Sequence, residues 1–249
     1  MIAGIERVEI RRRELMLAGR RLVVAGGSVV GSRYPANFDV LHVDDVRPLV
    51  VVADGMGGGE GSRVAGRTAV DSFVDLAGPA PQALHAAVAE AQRRVHDAGR
   101  RLGELTGCTL TAFVADIDTD TAWLVQIGDS RVYRLRGGQL ELLTVDHTMA
   151  WLGAVNGWYP FDSREAHAAR YRLMRFVGHP ELPEADVLNV TLRPGDVYLL
   201  CTDGLAEQVP YERLAEVLTW RADGVETLLA DSLLAGGHDN ATAAVVSVH

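Results

Sequence analysis

The chain has 249 residues, 48% of them hydrophobic and 23% charged, enough to bury a large core, and we read residues 1–249 as one domain. A formal net charge of −9 and a pI of about 5.3 argue against nucleic acid or an anionic membrane as the main partner, because both attract basic surfaces. All 24 cationic side chains are Arg, which excludes P-loop lysine chemistry, Schiff bases and lysine general bases.

Residues 1–20 show no clean period and stand as an N-terminal extension whose pattern suits an edge strand, a short helix or an arm equally. Glu6, Arg7, Glu9 and Arg11 to Arg13 deny that segment the apolar core of a signal peptide. Leu22 to Val30 and Val40 to Val46 read as a pair of strands, and Pro48 to Ala53 is a continuous apolar run of the kind found in buried strands, ending at Asp54. Beyond a glycine cluster, Val64, Ala65, Thr68, Ala69 and Phe73 fall at helical spacing, and a second helix is expected from Pro81 to Leu105. Thr109 to Ala115, Thr121 to Ile127, Arg131 to Leu135 and Leu140 to Leu143 read as an antiparallel meander of four short strands.

Residues 148–185 have the mixed character of a flap, with Trp151, Trp158, Tyr159 and Phe161 available to pack it or face a substrate and a helix expected from Arg164 to Phe176. Val187 to Leu192 and Val197 to Thr202 return to strands around Arg193-Pro194-Gly195-Asp196. Helices from Tyr211 to Trp220 and Gly224 to Leu234 precede a last strand, Ala241 to Val248. Runs of strands followed twice by helix pairs imply an α+β fold with helices on the outer faces of antiparallel sheets. No apolar run approaches the ~18 residues of a membrane span, so a soluble, cytoplasmic protein is expected.

Two cysteines, Cys108 and Cys201, sit in apolar runs and read as buried core residues. Neither has the Arg six positions on that a cysteine-nucleophile phosphatase needs; Val114 and Glu207 stand there. The chemistry is carried instead by aspartates where apolar runs end or begin: Asp39, Asp54, Asp129, Asp203 and Asp239. Carboxylates placed past strand ends can converge at one sheet edge, where they repel unless divalent cations neutralise them, so the chain reads as a binder of Mg or Mn. Taken singly, each motif is also an ordinary turn or cap, and the reading rests on their coincidence. Asp116-Ile117-Asp118-Thr119-Asp120 prompts a haloacid-dehalogenase comparison but fails at its last place, and Gly128-Asp129-Ser130-Arg131-Val132 lacks the closing Gly of a serine-hydrolase elbow.

The ordered set Asn37-Phe38-Asp39, Asp54-Gly55-Met56-Gly57-Gly58, Gly107-Cys108-Thr109, Gly128-Asp129-Ser130-Arg131, Asp146-His147-Thr148, Cys201-Thr202-Asp203-Gly204-Leu205 and Asp239-Asn240 resembles the metal-dependent protein phosphatase family, also called PPM or PP2C, in its bacterial form. The resemblance runs from about Leu22 to His249. It implies an αββα sandwich of two antiparallel sheets flanked by helix pairs, and a centre of two Mn or Mg ions with a weaker third. By that resemblance Asp54 bridges the two ions, the Gly55 carbonyl binds the second, Asp203 and Asp239 hold the first, and Asp129 with Asp203 holds the third. Asp39 positions the attacking water and Arg33 binds phosphate. The implied substrate is a phosphoserine or phosphothreonine protein, opposing a bacterial Ser/Thr kinase.

The chain departs from the family pattern in four places. Phe38 stands where Glu or Gln is usual, Arg33 lies one residue farther upstream, Met56 replaces the His of eukaryotic relatives, and Glu207 replaces an Asp. The first two keep a second reading open, a catalytically weak regulatory or binding module of the same fold.

Overall fold

The structure, a computed structural model, describes residues 9–17, 19–220 and 224–249. The reading of residues 1–8 lies outside the described residues. One six-stranded antiparallel sheet takes the order β1 (Arg11–Leu17), β2 (Arg20–Val29), β11 (Ala241–Val248), β10 (Val197–Cys201), β7 (Arg131–Arg136), β8 (Gln139–Leu142). The second, of five strands, runs β3 (Val40–Val43), β4 (Leu49–Ala53), β5 (Leu110–Ala115), β6 (Thr121–Ile127), β9 (Asp186–Thr191).

Strands β4, β10 and β11 are buried along their whole length. The period-2 alternation of side chains explains why such runs carry no polar face: one face meets the other sheet and the opposite face meets helices. In β4, Val50 and Val52 point inward with Phe113 and Leu124 against Val24, Tyr198, Leu200 and Val246 of the other sheet. The Phe113 and Tyr198 rings meet there at 5.4 Å. Leu49, Val51 and Ala53 face outward, onto Ala65, Ala69 and Phe73 of α1 (Glu60–Leu76) and Leu84, Val88 and Val95 of α2 (Pro81–Leu102). On the far side Leu199, Ala243 and Val245 face α6 (Tyr211–Trp220) and α7 (Val225–Leu234) through Leu214, Leu218, Leu228 and Leu229. The expected αββα layering is present.

Three expectations are corrected. The four strands from Thr109 to Leu143 are not one meander: β5 and β6 belong to the five-stranded sheet and β7 and β8 to the six-stranded one, with the chain crossing at Gly128-Asp129-Ser130. Likewise β2 and β3 do not pair but lie in opposite sheets. The helix expected from Arg164 to Phe176 stops as α4 (Arg164–Ala169), because the following backbone finds ladder-like partners: Met174 N–H donates to His147 O and Val177 N–H to Cys108 O, each at 2.8 Å. The flap also holds α3 (Met149–Val155), and the open N-terminal segment supplies the edge strand β1.

The chain leaving the flap is anchored by Gln92, buried on α2. Its amide nitrogen donates to Phe176 O at 3.1 Å and Pro183 O at 2.9 Å, and its oxygen accepts from Gly178 N at 2.7 Å. Replacing Gln92 with Ala strands the buried Gly178 N–H and the Pro183 carbonyl, each costing about 1–3 kcal/mol if left unmet, and leaves Phe176 O with only the His179 N–H. We therefore expect Gln92→Ala to lower the unfolding free energy by about 2–4 kcal/mol in a urea titration; a loss below about 0.5 kcal/mol, the surface-substitution level, would count against the anchor.

Candidate active site

Strands β2, β4, β6 and β10 end, and β3, β5, β7 and β11 begin, at one edge of the sandwich, as the partners Val29↔Ala241, Val40↔Ala53, Leu110↔Ile127 and Arg131↔Cys201 fix. All five predicted aspartates lie at these ends. The Asp116 to Asp120 hairpin joins β5 to β6 at the opposite edge. Asp54, Gly55, Asp129, Asp203 and Asp239 line a cleft of about 630 Å³, with Arg33 at its wall.

Asp39 lies behind that floor, 9% exposed. Its Oδ2 accepts from Thr202 Oγ1 at 2.9 Å and Thr242 Oγ1 at 2.7 Å, so a hydroxyl from each of two adjacent strands holds the carboxylate. Asn37 and Asn240 fix the backbone around it: Asp39 N–H donates to Asn37 Oδ1 at 3.1 Å and Phe38 N–H to Asn240 Oδ1 at 2.8 Å. Asp54 is fixed through its main chain, which exchanges bonds of 2.9 Å with Thr109 Oγ1 and Thr109 N. Two glycines admit backbone where no side chain fits. A Cβ on Gly55 would lie 2.6 Å from Ser62 O, and one on Gly204 would lie 2.0 Å from Asn240 O.

The carboxyls titrate abnormally. Burial, with the charges of Asp203 and Asp239 beside it, pushes Asp39 up to about 7 despite the two threonine hydroxyls. Burial and neighbouring carboxylates raise Asp54 and Asp129 well above the ordinary range, and Asp203 and Glu207 are raised mainly by burial. Asp39 Oδ1 and Asp203 Oδ1 are buried with no hydrogen-bond partner.

Among the described residues no three His, Cys, Asp or Glu side chains close into a ready-made cage. The donors are spread along the cleft floor and are oxygens throughout, an arrangement suited to hard cations that also take backbone carbonyls and water. Unpartnered carboxylate oxygens among mutually repelling neighbours fit such ions.

The Asp146-His147-Thr148 segment braces the site from outside. Arg131 chelates Asp146 at 2.6–3.2 Å, Thr148 caps α3, and His147 Nδ1 accepts from Gly128 N at 3.1 Å while its Nε2 meets Asp186 Oδ2 at 3.1 Å. The aromatic residues expected of the flap are not among those that line the cleft: Trp151 and Phe161 meet edge to face with centroids 6.1 Å apart, and Tyr159 donates to Met149 O. Tyr171 and Leu173 form that wall instead, and Tyr34 the wall beside Arg33. Thr202, Thr242 and these two tyrosines escaped sequence reasoning. For the threonines the available signal was a hydroxyl residue one place before Asp203 and three after Asp239.

Residues 37–234 match the Protein phosphatase 2C family model. The chain is 31% identical over 208 residues to the serine/threonine protein phosphatase PstP of Mycobacterium tuberculosis, covering 80% of this chain and 40% of that protein. It is 28% identical over 214 residues to protein phosphatase PhpP of Streptococcus pneumoniae, covering 82% and 87%. The catalytic domain of PstP in complex with two manganese ions superposes with a TM-score of 0.80 at 32% identity, covering 91% of this chain and 98% of that one. PppA of Pseudomonas aeruginosa gives 0.81 at 29% identity, covering 95% and 100%. With most of the chain matched and the two-sheet architecture shared, the protein belongs to the protein phosphatase 2C family, the metal-dependent protein serine/threonine phosphatases, in its bacterial form.

Proposed function

We propose that the protein is a Mn- or Mg-dependent phosphatase that removes phosphate from phosphoserine and phosphothreonine in proteins, opposing a bacterial Ser/Thr kinase. The observation that carries this is the convergence of carboxylates from distant sequence positions on one cleft floor, with buried oxygens left unpartnered and an arginine at the wall. The names of the relatives support the substrate class.

In this reading Asp54, the Gly55 carbonyl, Asp203 and Asp239 hold two ions, and Asp129 with Asp203 holds a third. Ions held there would supply activation of water at neutral pH and neutralisation of phosphoryl charge. Asp39, fixed by Thr202 and Thr242 through Oδ2, would position the attacking water from behind the cleft floor. Arg33 offers a planar fork of donors to the phosphate dianion. A covalent cysteine route is closed: burial raises the Cys108 thiol and pushes Cys201 up to about 12, so neither is a thiolate near neutral pH.

Hydrolysis of para-nitrophenyl phosphate and a phosphothreonine peptide should require Mn or Mg and stop in EDTA. Asp54→Ala and Asp203→Ala should each lose at least about 100-fold in kcat/KM, the upper end of what loss of a supporting partner costs; a loss of only a few-fold in both would sink the reading.

Stability should report the same site. An ordinary Asp ionises near pH 4, whereas folded Asp39 is held protonated to about 7. The stability linked to this raised value is therefore fully present below about pH 4 and lost as pH rises through about 7. In EDTA, we expect the Tm of the wild type relative to Asp39→Asn to fall by at least about 3 °C between about pH 5 and about pH 8, and Mn to abolish the fall. A flat difference across that range would show that the cluster is not under electrostatic load.

A further inference from the structure

Arg33 is exposed, and among the described residues its guanidinium forms no ion pair and no hydrogen bond with protein. Its backbone is nevertheless pinned. Arg33 N–H donates to His238 O at 2.9 Å and Ser32 N–H to Gly237 O at 2.7 Å, which ties this segment to the turn before Asp239. The side chain lies over the face of Tyr34, with Cζ 5.2 Å from the ring centroid. Tyr34 stands edge-on to Phe38, centroids 5.8 Å apart and planes at 89°. Its ring also lies against Gly58, where a Cβ would meet ring carbons at 2.7 and 2.9 Å. Phe38 is itself 7% exposed and held at its N–H by Asn240.

The support is therefore sequential: Gly58 and Phe38 hold the Tyr34 ring, and the ring holds Arg33. Two of the departures from the family pattern, the phenylalanine between Asn37 and Asp39 and the upstream displacement of the arginine, are the two ends of this one stack. A carboxylate partner for Arg33 would occupy donors of the guanidinium fork. A π face attracts the cation through its quadrupole and leaves the in-plane N–H groups free.

We infer that Tyr34 is a positioning residue whose ring face holds the Arg33 guanidinium over the cleft, with its donors open to the oxygens of a phosphate group. The identity of that anion rests on the phosphatase reading. The placement of Arg33 by Tyr34 does not.

The test is a double-mutant cycle on the Mn-loaded full chain, read both as KM for para-nitrophenyl phosphate and as the calorimetric Kd of inorganic phosphate. Tyr34→Leu, which fills the space without a π face, should raise both values about three- to fivefold, with kcat changed less than about twofold. Tyr34→Met serves the same purpose if Tyr34→Leu does not fold. Tyr34→Phe should keep the wild-type values. Arg33→Ala should raise both further, and adding Tyr34→Leu to it should change nothing more. Additive losses in the double variant, a Tyr34→Phe variant as weak as Tyr34→Leu, or a phosphate Kd indifferent to Tyr34→Leu would each overturn the inference. Phosphate binding that obeys the cycle in a chain without Mn-dependent turnover would remove the phosphatase reading and leave the positioning role standing.

Discussion

Mutual repulsion among buried carboxylates is the constraint around which the rest of the structure is arranged. Asp39, Asp54, Asp129 and Asp203 all have their charged forms disfavoured by burial and by neighbouring carboxylates, which for Asp203 means Asp239. A fold can hold such a cluster only if its backbone is fixed by something stronger than the repulsion. Here that is a double sheet whose strands β4, β10 and β11 are buried along their length and which is clamped by helix pairs on both outer faces. The aspartates sit one or two residues beyond those strands, where the chain is still held by the ladder but the side chains are free of it.

Close backbone packing completes the arrangement. Gly55 lies against Ser62 and Phe38 carbonyls and Gly204 against the Asn240 carbonyl, so adjacent strand ends approach to distances that a single methyl would forbid. The Thr202 and Thr242 hydroxyls then meet one oxygen of Asp39 from neighbouring strands. Rigidity comes from main-chain contact and the chemistry from a few short side chains, which explains why the motifs are so rich in Gly, Asp, Asn and Thr.

Much of this was legible in the sequence, and the limits of legibility are physical. Continuous apolar runs such as Leu49–Ala53 and Val197–Cys201 announced strands buried on both faces, and the aspartates terminating them announced the cleft. Strand partnership was not readable, because β6 and β7 are separated by the same short Gly-Asp signal whether the chain turns back or crosses to the other sheet. The end of α4 was hidden for a related reason: residues after Ala169 keep a helical pattern, yet their backbone groups are claimed by His147 and Cys108, which are distant in sequence. Tyr34 escaped because an aromatic beside an arginine carries no periodic signature; only the third dimension puts its ring between Phe38 and the guanidinium.

The crossing of the chain between sheets has a mechanical consequence. Asp54 extends from the five-stranded sheet, whereas Asp203 and Asp239 flank strands of the six-stranded one, and the cleft lies along the seam. Any ion shared by these carboxylates is a cross-link between the two halves of the sandwich, fastening at one end layers that are otherwise joined by apolar contact. Sliding of one sheet over the other would be transmitted directly to the spacing of the carboxylates, and interior packing such as that of Phe113 against Tyr198, which do not line the cleft, opposes that sliding.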